Sequence, residues 1–137
     1  MRGPEHNRIL ADLITRVGIL VAQYKIYHSP RCSKSRQTLS LLEDAGIQPE
    51  IILYLEHAPS PVEMGNVLGK LGISARDLLR TSEPEYKELS LGNLGLSEDQ
   101  LIAAMCDNPK LIERPIVVRG KDAVLGRPPE NVLALFE

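Results

Sequence analysis

Residues Tyr24–Arg36 read YKIYHSPRCSKSR. The first part places β-prone Tyr24, Ile26 and Tyr27 around Lys25, and Ser29-Pro30 cuts the run. Beyond Cys32 the pattern becomes helical, with Leu39, Leu41, Leu42 and Ala45 as its apolar set and Gly46 as its stop. Strand, tight turn, cysteine and helix follow in that order. A cysteine so placed stands where a helix N-terminus offers unpaired N–H groups and the positive end of its dipole. The same place lowers a thiol's pKa and attracts anions.

Working outward, Glu50–Tyr54 (EIILY) predicts a second strand, with the continuous apolar character of one buried on both faces. Strand, helix and strand with short links make a βαβ unit, so the two strands are expected to be parallel with a right-handed crossover. Ser60-Pro61 with Glu63 starts a helix that runs to Leu71, has Val62, Met64, Val67, Leu68 and Leu71 as its apolar set, and stops at Gly72. Ser74–Leu79 predicts a short helix, Glu83–Glu88 a polar helical turn and Leu91–Leu96 a loop. Ser97–Gln100 starts a further helix by the capping-box pattern, and Asn108-Pro109 breaks it. Ile116–Val118 and Ala123–Leu125 then flank a turn at Arg119–Asp122, a β-hairpin. Pro128–Phe136 is expected to be a last helix with Val132, Leu133 and Phe136 inward. The order βαβ, helices, ββα is that of an α/β, thioredoxin/glutaredoxin-like fold with an all-helical insertion between its halves.

The 137 residues suffice for one domain with its own core, and 43% hydrophobic with 25% charged content is ordinary for a globular protein. A formal charge of −2 gives no general reason to expect nucleic-acid binding, although Arg31, Lys34 and Arg36 crowd one turn. Two distant cysteines make neither a disulfide framework nor a zinc site and suit a reducing cytoplasm. His6, His28 and His57 offer no metal-ligand spacing. The most apolar leading segment, Ile9–Ala22, carries Asp12 and Arg16, too short and too charged for a bilayer span. It reads as an amphipathic helix with Ile9, Leu10, Leu13, Val17 and Leu20 on one side, after a disordered Met1–Asn7. Residues 1–23 are thus expected to be an N-terminal extension and 24–137 the domain.

Cys32 carries the chemistry. Cysteine commonly packs as a small buried hydrophobe, but Arg31, Ser33, Lys34 and Ser35 are not core neighbours, and cations and hydroxyls beside a helix start favour the thiolate. The motif is C-S-K-S rather than C-x-x-C, so a resolving thiol has to come from outside. Cys106, late in a helix beside Met105, reads as a packing residue. His28 either bonds a loop carbonyl or acts as a proton relay or charge beside the thiolate. Ser35 donates to the thiolate, caps the helix, or both. Arg80, Arg114 and Arg127 each stand where regular structure ends, and the last two precede proline. A surface arginine is ordinarily just solvated. The thioredoxin-like topology, however, brings the loop before the hairpin and the hairpin's end close to the first βα turn, and arginine's planar fork suits a tetrahedral oxyanion. Arg114-Pro115 also falls where such folds carry a cis proline.

HSPRCSKSR with its βαβ unit, then ISARDLLR, ERPIVV and LGRPPE, together resemble the ArsC family of glutaredoxin-coupled arsenate reductases, in the branch with an HNPRCSKS-type loop. The resemblance runs from Tyr24 to Phe136. It implies a thioredoxin-like fold and a cytoplasmic oxidoreductase of arsenic detoxification that reduces arsenate to arsenite. Cys32 would be the nucleophile, His28 and Ser35 its activators, and Arg80, Arg114 and Arg127 the oxyanion-binding triad. Glutathione would serve as co-substrate and glutaredoxin as partner, with no bound cofactor, metal, nucleic acid or membrane. Where the best-studied members have small neutral residues around the cysteine, this chain has Arg31, Ser33 and Lys34, which adds positive charge beside the thiolate. Two alternatives stand beside this: a glutathione-dependent monothiol oxidoreductase with another substrate, and an Spx-like regulator of RNA polymerase. Against the latter, Ser35 stands where Spx-like proteins carry a second cysteine.

Overall fold

The computed structural model describes residues 23–136. The expected disordered start and the amphipathic Ile9–Ala22 lie outside the described residues. Strand β1 (Tyr24–Tyr27) leads through the Pro30 turn into α1 (Ser33–Asp44), and β2 (Glu50–Ile52) follows. Helices α2 (Pro61–Leu71), α3 (Ala75–Leu78), α4 (Pro84–Glu88) and α5 (Glu98–Asp107) come next, then a 3-10 turn at Pro109–Leu111. The hairpin β3 (Ile116–Arg119) and β4 (Asp122–Leu125) precedes a closing 3-10 helix, Pro129–Phe136.

The sheet order is β2-β1-β3-β4. β1 runs parallel to β2, with Ile26 opposite Ile51, and antiparallel to β3, with Ile26 opposite Val117. This is the βαβ-plus-ββα arrangement of the thioredoxin-like fold. Side chains alternate across the strands, so the sheet buries two faces. Tyr24, Ile26 and Val117 pack with Leu42, Val132 and Leu135 under α1 and the closing helix. Tyr27, Ile116 and Val118 face the other way, into the larger core under the helical insertion.

The insertion is tied down by helix caps, of which the sequence announces those at Ser60 and Ser97. Ser60 accepts from the Glu63 N–H at the start of α2, and both Ser74 and Ser97 form capping boxes. α3 is only one turn long, and the Glu98 carboxylate of α5 accepts from its Ala75 N–H at 2.5 Å. Gly72 closes α2 in the left-handed conformation (φ 70°), the geometry that a residue without Cβ adopts freely.

Four expectations need correction. β2 is an edge strand, not one buried on both faces: Ile51 is 48% exposed, and the strand ends at Ile52, so Tyr54 is buried beyond it in a turn. An apolar run reads alike at the edge and in the centre of a sheet. Val62 points outward at 76% exposure, leaving Met64, Val67 and Leu68 as the buried set of α2. Ala45 is exposed, and the buried stripe of α1 is Ser35, Thr38 and Leu42. The closing segment is a 3-10 helix that buries Pro129, Val132 and Leu135, while Leu133 is 47% exposed. An inward side chain at every third residue is what three residues per turn produce.

Candidate active site

The Cys32 N–H donates to the Ser29 carbonyl (3.0 Å), and the Arg36 N–H to the Cys32 carbonyl (3.0 Å). These bonds close the tight turn and make Cys32 the N-cap of α1, with φ −90° and ψ 122°. An N-cap side chain stands beside the first amides of its helix, and here the sulfur makes no capping hydrogen bond. Burial alone would raise the thiol's pKa; the Ser35 and Lys34 main-chain N–H groups and then the Arg114 guanidinium outweigh it, and the net shift is downward. Lys34 thus acts through its backbone. The side-chain help comes from Arg114 rather than from Arg31 or the Lys34 ammonium, the two charges that the sequence suggested.

His28 and Ser35 support the turn from beneath, both buried. The Ser29 N–H donates to Ser35 Oγ (3.0 Å), which lies 2.5 Å from His28 Nδ1. Burial, then the Arg36 charge, lowers the His28 pKa. A neutral imidazole accepting at Nδ1 from the serine hydroxyl fits both bonds. The Ser35 hydroxyl is therefore engaged by His28, and it is the Ser35 main-chain N–H that helps to lower the Cys32 pKa.

Three separate segments bring the arginines here. An isolated antiparallel bridge joins Leu79 to Ile112; Arg80 N–H donates to the Leu111 carbonyl and Glu113 N–H to that of Leu78, laying the end of α3 beside the strand-entry segment. The Arg114-Pro115 peptide is cis, as is Arg127-Pro128, which the sequence did not announce. The Gly126 N–H donates to the Pro115 carbonyl at 2.8 Å. Gly126 leaves room for nothing larger: a Cβ there would lie 2.5 Å from Thr38 Oγ1 and 2.8 Å from Pro115 Cγ. Thr38 in turn donates to the Lys34 carbonyl at 2.8 Å, so α1, β4 and Pro115 meet at one point. Arg127 Nη1 then lies 4.0 Å from Cys32 Sγ and donates to the Arg114 carbonyl at 3.3 Å.

Glu113 links the group. Its carboxylate takes Arg80 Nη1 at 2.5 Å and lies 3.6 Å from Arg127 Nε. Arg80 Nε also reaches Glu83 at 3.3 Å. Sequence reasoning missed Glu113 because an acid beside Arg-Pro looks solvated. It also missed Tyr54, fully buried and beyond the end of β2. The Tyr54 hydroxyl and Arg114 Nε are buried without a hydrogen-bond partner. Burial pushes the Tyr54 phenol up to about 12, against the pull of Arg114 and Arg80.

A thiol with a lowered pKa, helix-start amides and three guanidinium groups can together hold and attack an electrophilic oxyanion. The family model for "ArsC family" matches residues 27–135. The chain belongs to the ArsC family. It is 54% identical over 117 residues to the Escherichia coli K12 protein YfgD, described as uncharacterized, covering 85% of this chain and 98% of that protein. An arsenate reductase of Haemophilus influenzae is 51% identical over 112 residues, 81% of this chain and 97% of that one. The solved arsenate reductase of Vibrio cholerae superposes with a TM-score of 0.80 at 53% identity, covering 82% of this chain and 98% of that chain. Among the described residues, no group of three or more His, Cys, Asp or Glu is placed to hold a metal ion, and no helix is long and apolar enough to cross a membrane.

Proposed function

We propose that this protein reduces arsenate to arsenite, with Cys32 as its single nucleophile and glutathione and glutaredoxin as thiol donors. The observation that carries this is Cys32 Sγ at the start of α1 with Arg127 at 4.0 Å and Arg114 favouring its ionised form. Arg80, Arg114 and Arg127 bind the oxyanion. The Cys32 thiolate attacks arsenic, and one arsenate oxygen leaves as water. A glutathione sulfur displaces a second oxygen as water. A glutaredoxin thiol then attacks that glutathione sulfur. The electron pair of the broken S–As bond stays on arsenic, taking it from the pentavalent to the trivalent state. Glutathione leaves as a mixed disulfide with glutaredoxin, and water releases arsenite from Cys32. Two thiols lose two electrons, and arsenate gains them.

His28 and Ser35 act by holding the turn in which the Lys34 and Ser35 amides serve the sulfur. The working unit is residues 24–137, with 1–23 an extension, in a cytoplasm that keeps thiols reduced. Purified protein with arsenate, glutathione, glutaredoxin and glutathione reductase should oxidise NADPH only when arsenate is present, and Cys32→Ser should abolish it. Absence of arsenate-dependent oxidation in the wild type would overturn the assignment.

One observation favours a second reading. Arg80 is already paired with Glu113 and Glu83, which leaves less free positive charge for a small, multiply charged oxyanion. The same thiol would then resolve glutathione mixed disulfides. Turnover of such a disulfide without any arsenate activity would select it.

A further inference from the structure

Two donors near the cysteine are buried without an acceptor: the Tyr54 hydroxyl and Arg114 Nε. An unsatisfied buried donor is costly, and native structures seldom keep one without a reason. Two together are less easily dismissed. The Tyr54 ring is fully buried in the larger core, packed among the apolar residues of the insertion. Its hydroxyl nevertheless lies within electrostatic range of Arg114, Arg80 and Cys32. The Arg114 guanidinium acts on the phenol as a donor and pulls its pKa down. A second guanidine donor could not satisfy that hydroxyl's proton in any case, since arginine accepts nothing. What both groups lack is a shared acceptor.

We propose that Tyr54 is a fourth oxyanion-binding residue, its hydroxyl donating to an oxygen of the tetrahedral anion that Arg114 holds beside Cys32. This inference rests on the oxyanion assignment of the site. The position suits the task. Tyr54 is the first buried residue past the edge strand, and its N–H donates back to the Ile52 carbonyl at 3.0 Å, so the ring is delivered from the core and held by it. A phenol with its pKa pushed up to about 12 remains protonated at neutral pH and can only donate to an anion's oxygen. Unlike the three arginines, it adds a direction without adding charge. It therefore favours a tetrahedral oxygen at one fixed place over any diffuse anion.

The test is the isosteric Tyr54→Phe, which keeps the buried ring and removes only the hydroxyl. Sulfate serves as a non-reducible tetrahedral probe and arsenate as substrate, with affinity followed by calorimetry and thermal midpoints read without anion. A lost hydrogen bond to a charged group corresponds to about ten-fold or more in the dissociation constant. The expected result is that weakening for both anions in Tyr54→Phe, with a thermal midpoint equal to or above that of the wild type because an unsatisfied hydroxyl has gone. A merely structural tyrosine would give the reverse: a lowered midpoint and unchanged affinity. Unchanged affinity in Tyr54→Phe alongside weakened binding in Arg114→Ala overturns the inference and leaves the oxyanion site standing. If Arg114→Ala and Arg127→Ala also bind sulfate as the wild type does, the oxyanion assignment itself falls, and this inference with it.

Discussion

The two cysteines have opposite surroundings. Both are partly buried, and burial by itself raises a thiol's pKa. Cys32 caps the start of α1, where the Ser35 and Lys34 amides and Arg114 reverse that effect and leave the thiol below its ordinary value. Cys106 sits in the last turn of α5, where burial, Asp107 and then Glu63 all push upward. The helix ends themselves act in the same two senses, positive at the start and negative at the finish. Burial does not separate the two thiols here. The sign of what meets the sulfur does.

The largest way to break this contrast is to remove each sulfur in turn. Cys32→Ser should reduce arsenate-dependent NADPH oxidation to background, whereas Cys106→Ala should leave it unchanged; equal losses would mean the contrast has no chemical meaning. Arg114→Ala cuts more finely. It removes the side chain that favours the thiolate and one fork of the proposed oxyanion clamp, so the rise of activity with pH should move to higher pH. Anion affinity should fall by roughly 10- to 100-fold, the worth of a charge-assisted bond, as stopped assays across pH and sulfate titrations would show.

Gly126→Ala tests the packing that assembles the Cys32 side only. The new Cβ would strike Thr38 and Pro115, and overpacking of this kind costs about 1–3 kcal/mol, measurable by urea unfolding. The Cys106 side should be untouched, its alkylation rate in the folded protein unaltered.

The smallest expected effect concerns His28. Its pKa is lowered in the fold, so the unfolded chain binds the proton more readily. Its contribution is complete above the unfolded value of about 6.5 and is lost as pH falls from there through the folded pKa. His28→Asn should flatten the dependence of stability on pH in that acid window, as denaturation at several pH values would reveal; an unchanged slope would show that the imidazole is not neutral in the fold.

Much of this was legible in the chain itself. Ser29-Pro30, the helical pattern after Cys32 and the capping serines at 60 and 97 are local signals, and each produces the element that it predicts. Cys32 and Arg127 announce themselves by their neighbours, and the structure sets them 4.0 Å apart. What was illegible depends on distant partners. Glu113 becomes a link only because the Leu79–Ile112 bridge delivers Arg80 to it. Ile51 becomes an edge residue only because β3 takes the far side of β1. Leu133 faces out and Leu135 in because a 3-10 helix turns faster than the α-helix that the same pattern suggests.

The surroundings of Cys32 favour its ionised form, and those of Cys106 oppose it. Alkylation of the native protein by iodoacetamide between pH 5 and pH 10, resolved by mass spectrometry into the two cysteine-containing peptides, tests it directly. The expected midpoint for Cys32 lies below the ordinary thiol value of about 8.5 and that for Cys106 above it. Coincident midpoints, or the reverse order, would contradict it.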